Sequence, residues 1–265
     1  METSQSKTIG QALGPMGAFS VLDIEDRVCE THGEYKAMRY KFGWIGCAQC
    51  QEEKQRAEQE EQQRQQQAEW AQRRLQNIFD RAAIPTRFAD RTLDAYKAEL
   101  PGQAKALKVC RDYVTAFDAG AGTSLIFVGG VGAGKTHLAV GIAKELMQRH
   151  MTALFMSVMG AVRSVKETYR RDSDTSEREA IANLIEPDLL ILDEVGVQFG
   201  SDTEKMILFE IINGRYENRR STIVISNLAI EPLTEYLGER VVDRLREDGG
   251  RMVVFDWPSY RRQAA

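Results

Sequence analysis

The stretch that most constrains this chain is SLIFVGGVGAGKTHLAVGIAKEL at residues 124–146. The apolar run at 125–128 is typical of a buried strand, and an apolar-periodic helix is predicted after the glycine-rich part. Between them, GGVGAGKT at 129–136 has the spacing of a phosphate-binding loop, in the strand–loop–helix context that such a loop requires. Glycines allow a tight turn whose backbone N–H groups point at phosphate oxygens, and the helix N-terminus adds partial positive charge. The stretch therefore predicts a nucleotide site.

The loop and the start of the helix supply the residues that we expect to contact the nucleotide. Lys135 is expected to pair with the β- and γ-phosphates of ATP, and Thr136 to hold Mg²⁺. The candidate nucleotide-binding residues are Gly129, Gly130, Val131, Gly132, Ala133, Gly134, Lys135, Thr136 and His137.

A second apolar run, DLLILDEV at 188–195, ends in two acids. A strand that is apolar on both faces suits a parallel sheet covered by helices. At its carboxyl end, Asp193 is expected to complete the Mg²⁺ shell, and Glu194 to orient and polarise the attacking water. Two acids at a strand end can also be simple capping residues, but the phosphate-binding loop favours the catalytic interpretation.

The remaining elements predict the fold class. STIVISNL at 221–228 reads as a third strand, and Asn227 at its exit can hold the lytic water or sense the γ-phosphate, although such an asparagine is more often a turn residue. Strands are also predicted at 153–158 and 252–256, with a helix at 204–219. The alternation of strands and helices predicts an α/β protein, a three-layer sandwich with a parallel sheet.

Near the N-terminus, Cys29-x2-His32 and Cys47-x2-Cys50 are separated by fourteen residues. Two such pairs, joined by a segment of hairpin length, match a tetrahedral zinc site with three thiolates and one imidazole. A closed set of four ligands indicates structural zinc, whose binding would stabilise a module too small for a core. A redox role for the second pair alone is possible, but it leaves the first pair unexplained. Cys110, in a helical pattern, is expected to be a buried small apolar residue.

Between the cysteines and the nucleotide site lies a polar spacer. Residues 51–67 contain Ala57 and otherwise only Gln, Glu, Lys and Arg, which predicts a solvated helix or a disordered segment. From 70 to 82 an apolar stripe appears, which either packs on the following domain or docks a partner, and Pro85 ends that helix. The predicted domains are therefore a zinc module at 1–50, a helical linker at 51–83 and an ATPase domain at 84–265.

Composition excludes some classes. The 265 residues carry a net charge of −4, so any nucleic-acid binding needs a local basic surface. No apolar run approaches the roughly 18 residues of a membrane span, and the N-terminus lacks the features of a secretory signal. We expect a cytoplasmic protein that does not enter a membrane.

Several motifs together carry a family resemblance. GGVGAGKTHLA, LLILDEV, ISNL, LGERVVDRLRE and FDWPSYR resemble the DnaC/IstB-like branch of AAA+ P-loop ATPases, which contains bacterial helicase loaders and transposase-helper ATPases. The resemblance covers roughly residues 84–262, and its last motifs are closer to the replicative helicase loaders.

The resemblance implies further roles. Asn227 matches the first sensor, Arg244 the arginine finger that reaches the ATP of a neighbouring subunit, and Arg261 the second sensor in cis. An arginine supplied in trans makes hydrolysis conditional on assembly. A surface salt bridge is the alternative for Arg244, and Arg240, four residues earlier, has no assigned role.

The function implied is an ATP-hydrolysing homo-oligomer that loads a replicative DnaB-type helicase, docked through residues 1–82, onto single-stranded DNA. One helix face is predicted to carry three basic residues, Arg163, Lys166 and Arg170, with Tyr169 nearby. This face either binds the DNA or is only solvated. Two alternatives stay open. One is an IstB-like transposase helper that acts on duplex DNA, and the other is a non-hydrolysing adaptor that uses zinc and the loop to hold partners.

Overall fold

The structure is a computed structural model that describes residues 20–170, 172–196 and 201–260. The chain divides into two compact units, Met1–Ala71 and Gln72–Ala265. The helix that contains the boundary is α1, at Ala48–Arg81.

The first unit contains a small antiparallel sheet of β1 (Asp23–Cys29), β2 (Gly33–Tyr40) and β3 (Gly43–Ile45), in that order. Cys29 pairs with Gly33, so β1 and β2 form a tight hairpin, and the φ of 80° at Gly33 is one that favours glycine. Among the described residues 20–71, only Ala37 and Cys47 are buried. A sheet with so little buried apolar surface is not stabilised by a hydrophobic core of its own.

The polar spacer is helical. Residues 51–67 lie in α1, and almost every side chain in this range is exposed. Good helix-forming residues without Gly or Pro explain why the backbone remains helical although it buries nothing here.

The second unit is built on five parallel strands. They are β4 (Leu125–Gly129), β5 (Ala153–Ser157), β6 (Leu189–Val195), β7 (Ser221–Ser226) and β8 (Arg251–Phe255). Their order in the sheet is β5-β6-β7-β4-β8. This parallel sheet confirms the predicted α/β class.

Helices cover both faces of the sheet. These helices are α2 (Pro101–Ala116), α3 (Lys135–Gln148), α4 (Val158–Glu167), α5 (Glu177–Ile185), α6 (Asp202–Glu217), α7 (Ile230–Leu237) and α8 (Glu239–Arg246). A 3₁₀ turn at Thr86–Phe88 precedes α2. The local sequence determines where several of these helices begin. Ser157, Ser176 and Ser201 are N-caps whose hydroxyls accept a backbone N–H from the first turn.

Two hydrophobic cores result from the alternation of side chains along each strand. Leu125 and Phe127 of β4 face a cluster that includes α2 and α3, while Ile126 and Val128 face a cluster that includes α4, α5, α6 and α8. Cys110 is fully buried in the first cluster, as predicted.

The apolar stripe near the end of α1 belongs to the first of these cores. Ile78 and Ala82 are buried there, and Phe79 packs against them, partly exposed. Of the two interpretations of this stripe, packing within the unit is the one that these three residues follow.

A buried arginine joins elements beneath the sheet. Arg215 of α6 is fully buried and donates hydrogen bonds to the carbonyl oxygens of Leu184, Ile185 and Pro187, 2.8–3.0 Å away. It also binds the Ser221 carbonyl and the Thr222 hydroxyl at the start of β7. One side chain therefore satisfies backbone acceptors at the end of α5 and positions the strand that follows α6.

The predicted helix around the basic residues of 163–170 is shorter than expected. α4 ends at Glu167, and Arg170 lies beyond it. The backbone N–H groups of Thr168, Tyr169 and Arg170 bond three residues back, which tightens the chain out of the α-helix. The prediction that Arg170 shares a helical face with Arg163 is wrong.

Candidate nucleotide and metal sites

Lys135 is the centre of the nucleotide site. It is the first residue of α3 and is only 5% exposed. Its Nζ donates to the Gly129 and Gly130 carbonyl oxygens at 2.7 Å, and to Asn227 Oδ1 at 2.9 Å. The loop lysine and the asparagine at the exit of β7 are therefore in direct contact.

The close approach of neighbouring elements explains why two positions of the loop are glycine. A Cβ at Gly129, where φ is 135°, would lie 2.2 Å from the Phe255 carbonyl oxygen of β8. At Gly134, where φ is 96°, it would lie 2.7 Å from the Tyr96 ring. Neither position accepts a side chain without movement of its neighbours, so the loop backbone can approach these elements closely only as glycine.

The two acids at the end of β6 have different surroundings. Asp193 Oδ2 accepts a hydrogen bond of 2.9 Å from the Thr136 hydroxyl, and Oδ1 accepts one of 2.8 Å from the Glu194 N–H. Glu194 is exposed and has a φ of 64°, a left-handed conformation that is unusual outside glycine. The register of β6 against β7 also shifts between Leu192 and Val195. The pairing of β6 is therefore irregular at the two acids, a feature that the sequence pattern does not reveal.

Burial perturbs the two charged groups of the site in opposite directions. It lowers the pKa of Lys135 to about 8, with the Asp193 charge opposing the shift. Burial raises the pKa of Asp193, while hydrogen bonds from Thr136 and Glu194 oppose that shift. A buried ammonium fits an anion, and a hydroxyl beside a carboxylate offers the oxygen ligands that Mg²⁺ prefers. The residues present therefore fit a magnesium–nucleotide complex.

Aromatic residues from distant segments support the loop. Trp257 Nε1 donates to the Ala133 carbonyl at 2.9 Å, and Tyr260 N–H donates to the Gly132 carbonyl at 3.1 Å. The Tyr96 hydroxyl also lies 3.5 Å from the Ala133 oxygen. Sequence reasoning did not assign these residues, because nothing local in the sequence places them against the loop.

The other predicted loop residues differ in exposure. Val131 is exposed at the loop tip. His137 Nε2 donates to the Thr92 carbonyl at 2.9 Å, and its ring meets the Tyr96 ring edge-on. Burial lowers the pKa of His137, and the hydrogen bond to Thr92 opposes that shift.

The C-terminal arginines are placed as follows. Arg240 of α8 is exposed, whereas Arg244 is partly buried against α6. Among the described residues Arg244 forms no ion pair, so the salt-bridge alternative for it is not what the structure shows. Arg261 lies outside the described residues.

The predicted zinc ligands come together in the first unit. Their donor atoms all lie within 4.8 Å of one another, on Cys29, His32, Cys47 and Cys50. Cys29 Sγ is 3.4 Å from Cys50 Sγ, and His32 Nδ1 is 3.3 Å from the same sulfur. Zn–S bonds of about 2.3 Å in a tetrahedral site separate the sulfurs by roughly 3.8 Å, so the set fits zinc in both chemistry and size.

The histidine of this cluster has an outer partner. His32 Nε2 lies 3.1 Å from Glu53 Oε1 in α1. A carboxylate on the remote ring nitrogen is the usual second contact of a metal-binding histidine, because it fixes the ring orientation. The sequence interval from His32 to Glu53 has no local signature, and only the fold reveals this contact.

The thiols of the cluster perturb one another. Backbone N–H groups of Thr31 and His32 lower the pKa of Cys29 to about 6, whereas the Cys29 sulfur raises the pKa of Cys50 to about 11. Adjacent thiolates repel, and a divalent cation is what allows three of them to be close together.

The basic residues of the predicted DNA-binding face line one surface depression, together with two acids. Arg163, Lys166 and Arg170 share it with Glu167 and Glu204. Lys166 Nζ is 3.3 Å from Glu204 Oε1, so part of its charge is paired. Tyr169, predicted to stack a base, donates its hydroxyl to Glu177 at 2.7 Å.

No helix within the described residues is both long enough and apolar enough to cross a membrane. A phosphate-binding loop between β4 and α3, with Asp193 against Thr136, defines a P-loop nucleotide-binding protein on a parallel sheet. The chain belongs to the family described as "IstB-like ATP binding protein", which it matches over residues 51–264. This membership confirms the family resemblance that its motifs indicate.

Among the relatives that this chain resembles are proteins named as replicative helicase loaders. The replicative helicase loader DnaC of Escherichia coli K12 is 39% identical over 188 residues, which cover 71% of this chain and 76% of that protein. The protein of the same name from Buchnera aphidicola subsp. Schizaphis graminum is 34% identical over 189 residues, 71% of this chain and 76% of its own length. A crystal structure of the DnaC helicase loader superposes with a TM-score of 0.58 at 29% identity, covering 64% of this chain and 99% of that one.

The close approach of Gly129 to β8 leads to a stability prediction. We expect Gly129→Ala to lower the free energy of unfolding by about 2–4 kcal/mol, because the new Cβ meets a backbone carbonyl and the positive φ is strained. Gly130→Ala is the matched control, since a Cβ at that position has nothing within 4 Å. Urea unfolding of both variants without nucleotide measures the difference. Equal midpoints would contradict the geometry described for Gly129.

Proposed function

We propose that this chain is an ATP-dependent loader of the replicative helicase. The observation that carries the proposal is its 39% identity, over 71% of the chain, to a protein named for that activity. Membership of an ATP-binding family supplies the nucleotide, and the geometry around Lys135 supplies a place for it.

ATP binding requires the phosphate-binding loop to accept a highly charged ligand. The backbone of 129–136 and the Lys135 ammonium would hold the phosphates, and Thr136 with Asp193 would hold Mg²⁺. When bound, that ion neutralises charge that develops during phosphoryl transfer. Lys135 would exchange its contacts with loop carbonyls for phosphate oxygens. Because Asn227 is the third acceptor of the same ammonium, β7 senses the change directly.

Hydrolysis is assigned to groups around this pocket. Glu194, exposed beside the partly buried Asp193, would orient and polarise the attacking water, with Asn227 as a second contact. Arg244 would act from the neighbouring copy of the chain, and Arg261 from the same chain. The absence of an ion pair at Arg244 within the described residues supports its assignment, since its charge stays free for an external anion.

We expect Glu194→Gln to reduce ATP turnover by about 10²–10⁴-fold, because an amide cannot accept the proton of the attacking water. ATP affinity should persist, since the loop and Lys135 are untouched. Glu235→Gln, an exposed change on α7, is the control. Steady-state hydrolysis and equilibrium nucleotide binding give the two readouts. Unchanged turnover in the Glu194 variant would refute this assignment of the general base.

The cluster of three cysteines and one histidine is proposed to bind structural zinc. The four donors leave no position open for substrate, and the first unit has almost no buried apolar residues of its own. Metal binding can supply on the order of 10 kcal/mol of folding free energy to such a module.

Metal analysis tests this site. We expect one zinc per chain in the unaltered protein and in Cys110→Ala, whose sulfur is buried in the core of the other unit. In Cys50→Ala the zinc should be lost, together with the protection of the first unit from proteolysis. A zinc content that is the same in both variants, or absent from the unaltered protein, would contradict the proposal.

Single-stranded DNA binding is proposed for the depression lined by Arg163, Lys166 and Arg170. Basic side chains would neutralise phosphates there. The acids Glu167 and Glu204 in the same depression keep its net charge low. We therefore propose that this surface contributes to DNA binding in an oligomer, where several copies align along one strand, rather than in a single chain.

The N-terminal part is proposed to dock the helicase. We also propose that the whole chain is divided into a zinc module at 1–50, a linker at 51–83 and an ATPase domain at 84–265. Because Ile78 and Ala82 are already used in the core of the second unit, the docking surface should lie before them. The exposed apolar residues of the small sheet, Ile24, Val28 and Met38, are candidates.

Co-purification with the replicative helicase tests both docking and function. A fragment that starts at Gln72 keeps the core residues of the second unit and should not capture the helicase, whereas the full chain should. Equal capture by both would contradict N-terminal docking. Failure of the full chain to bind, with a preference for duplex over single-stranded DNA, would indicate the transposase-helper alternative instead.

A further inference from the structure

Two aromatic rings on α6 hold Arg244. Its guanidinium carbon lies 5.6 Å from the centre of the Phe209 ring and 5.2 Å from that of Tyr216. The two aromatic residues are seven positions apart, two helical turns, and so lie on the same side of α6. At 39% and 37% exposure, both rings also remain accessible to solvent. They form a surface that we name the aromatic clamp, defined as Phe209 and Tyr216.

The guanidinium has no anionic partner in its own chain, as far as the described residues extend. Its Nη1 atom is buried and has no hydrogen-bond partner among them. Rings hold a guanidinium through cation–π attraction without cancelling its charge, whereas a carboxylate would neutralise it. The clamp therefore holds Arg244 without neutralising its charge, so the guanidinium can still attract an external anion.

The aromatic clamp lies near the end of the helix that carries the arginine. The carboxylate of Glu247, the C-cap residue of α8, raises the pKa of Tyr216. Arg244 is in the last turn of that helix. The rings of α6 therefore meet the arginine of α8 where these two helices pack against each other.

An arginine that acts across a subunit boundary must be positioned before the partner arrives. An unrestrained arginine side chain loses rotamer entropy when it is immobilised, and misplacement by about 1 Å can cost about 10²-fold in rate. Prior ordering by the rings removes most of that loss from the catalytic step.

We propose that Phe209 and Tyr216 are positioning residues that order Arg244 for use in the ATP site of the neighbouring copy. This inference rests on the proposed role of Arg244 in trans. Neither ring touches the nucleotide of its own chain in this scheme, so the effect of changing it is passed to the neighbour.

The first test compares ring removal with ring retention. Phe209→Leu and Tyr216→Leu should each lower kcat for ATP hydrolysis by about tenfold, with DNA present and at high protein concentration, by loss of the cation–π contact. Nucleotide affinity should not change. Phe209→Tyr and Tyr216→Phe retain the rings and should remain within about twofold of the unaltered chain, a margin set by the weak energies involved. Because Phe209 and Tyr216 are both partly exposed, we expect each leucine variant to fold. If one of them does not, the kcat of the other still tests the proposal.

The second test uses mixed oligomers. Glu194→Gln chains do not turn over ATP but carry an intact clamp and Arg244. Mixed with them, the leucine variants should recover activity, because their own sites are complete and the neighbour supplies the ordered arginine. Arg244→Ala, which should lose about 10³-fold or more when alone, is the reference for this rescue.

The outcomes separate the two ideas. If Arg244→Ala is deficient but the leucine variants are as active as the unaltered chain, the clamp is wrong and the proposed role of Arg244 stands. If the leucine variants are deficient but not rescued by Glu194→Gln chains, their defect lies in their own site, and the clamp is again wrong. If Arg244→Ala is fully active, the role in trans and the clamp both fail.

Discussion

Parallel pairing in the second unit brings the carboxyl ends of β4, β6 and β7 to one edge of the sheet. Val128 pairs with Ser226, and β6 pairs with β7 up to Val195, so these three strands end side by side. The carboxyl end of each strand then supplies one part of the site: the glycine loop after β4, Asp193 and Glu194 at the end of β6, and Asn227 directly after β7. A shift of one residue in any of these registers would move the corresponding side chain to the other face of the sheet. The register of the strands therefore determines which side chains can meet at the site.

Close packing then withdraws the charged groups at this edge from water. Lys135 is withdrawn from water, and its hydrogen bonds all go to carbonyl or amide oxygens, none of which carries a full charge. Asp193 is partly buried and accepts a hydrogen bond from the Thr136 hydroxyl. Removing charges from water raises the strength of their interactions, which suits this edge to an anion with its cation. Under the proposed function, the contact from Lys135 to Asn227 would pass a change at the loop to the end of β7.

The two units solve the stability problem differently. The second unit buries alternate residues of each strand on opposite faces, and Arg215 satisfies the carbonyl oxygens that this packing leaves at the end of α5. The small sheet of the first unit has no comparable core among residues 20–71, and its cysteines and His32 converge instead. For chains of this size a metal is the usual substitute for buried apolar area. The polar middle of α1 needs neither, since intrinsic helix propensity is enough for a solvated helix within a longer one.

The sequence by itself determined the α/β class, the phosphate-binding loop, the acids at the end of β6 and the two Cys/His pairs that converge, because these are short-range patterns whose spacing is tied to local backbone geometry. Only the tertiary structure decided that β6 is bulged at Asp193 and Glu194, that Trp257 and Tyr96 support the loop, that Glu53 meets His32, and that Phe209 and Tyr216 hold Arg244. Each of these contacts joins segments far apart in sequence or depends on strand register. The end of α4 was missed for a related reason, since a basic residue at helical spacing does not show where the backbone hydrogen bonds change from four residues to three. Long-range contacts leave no periodic signature, because the distance between two segments is set by how the sheet and helices pack and not by the residues between them.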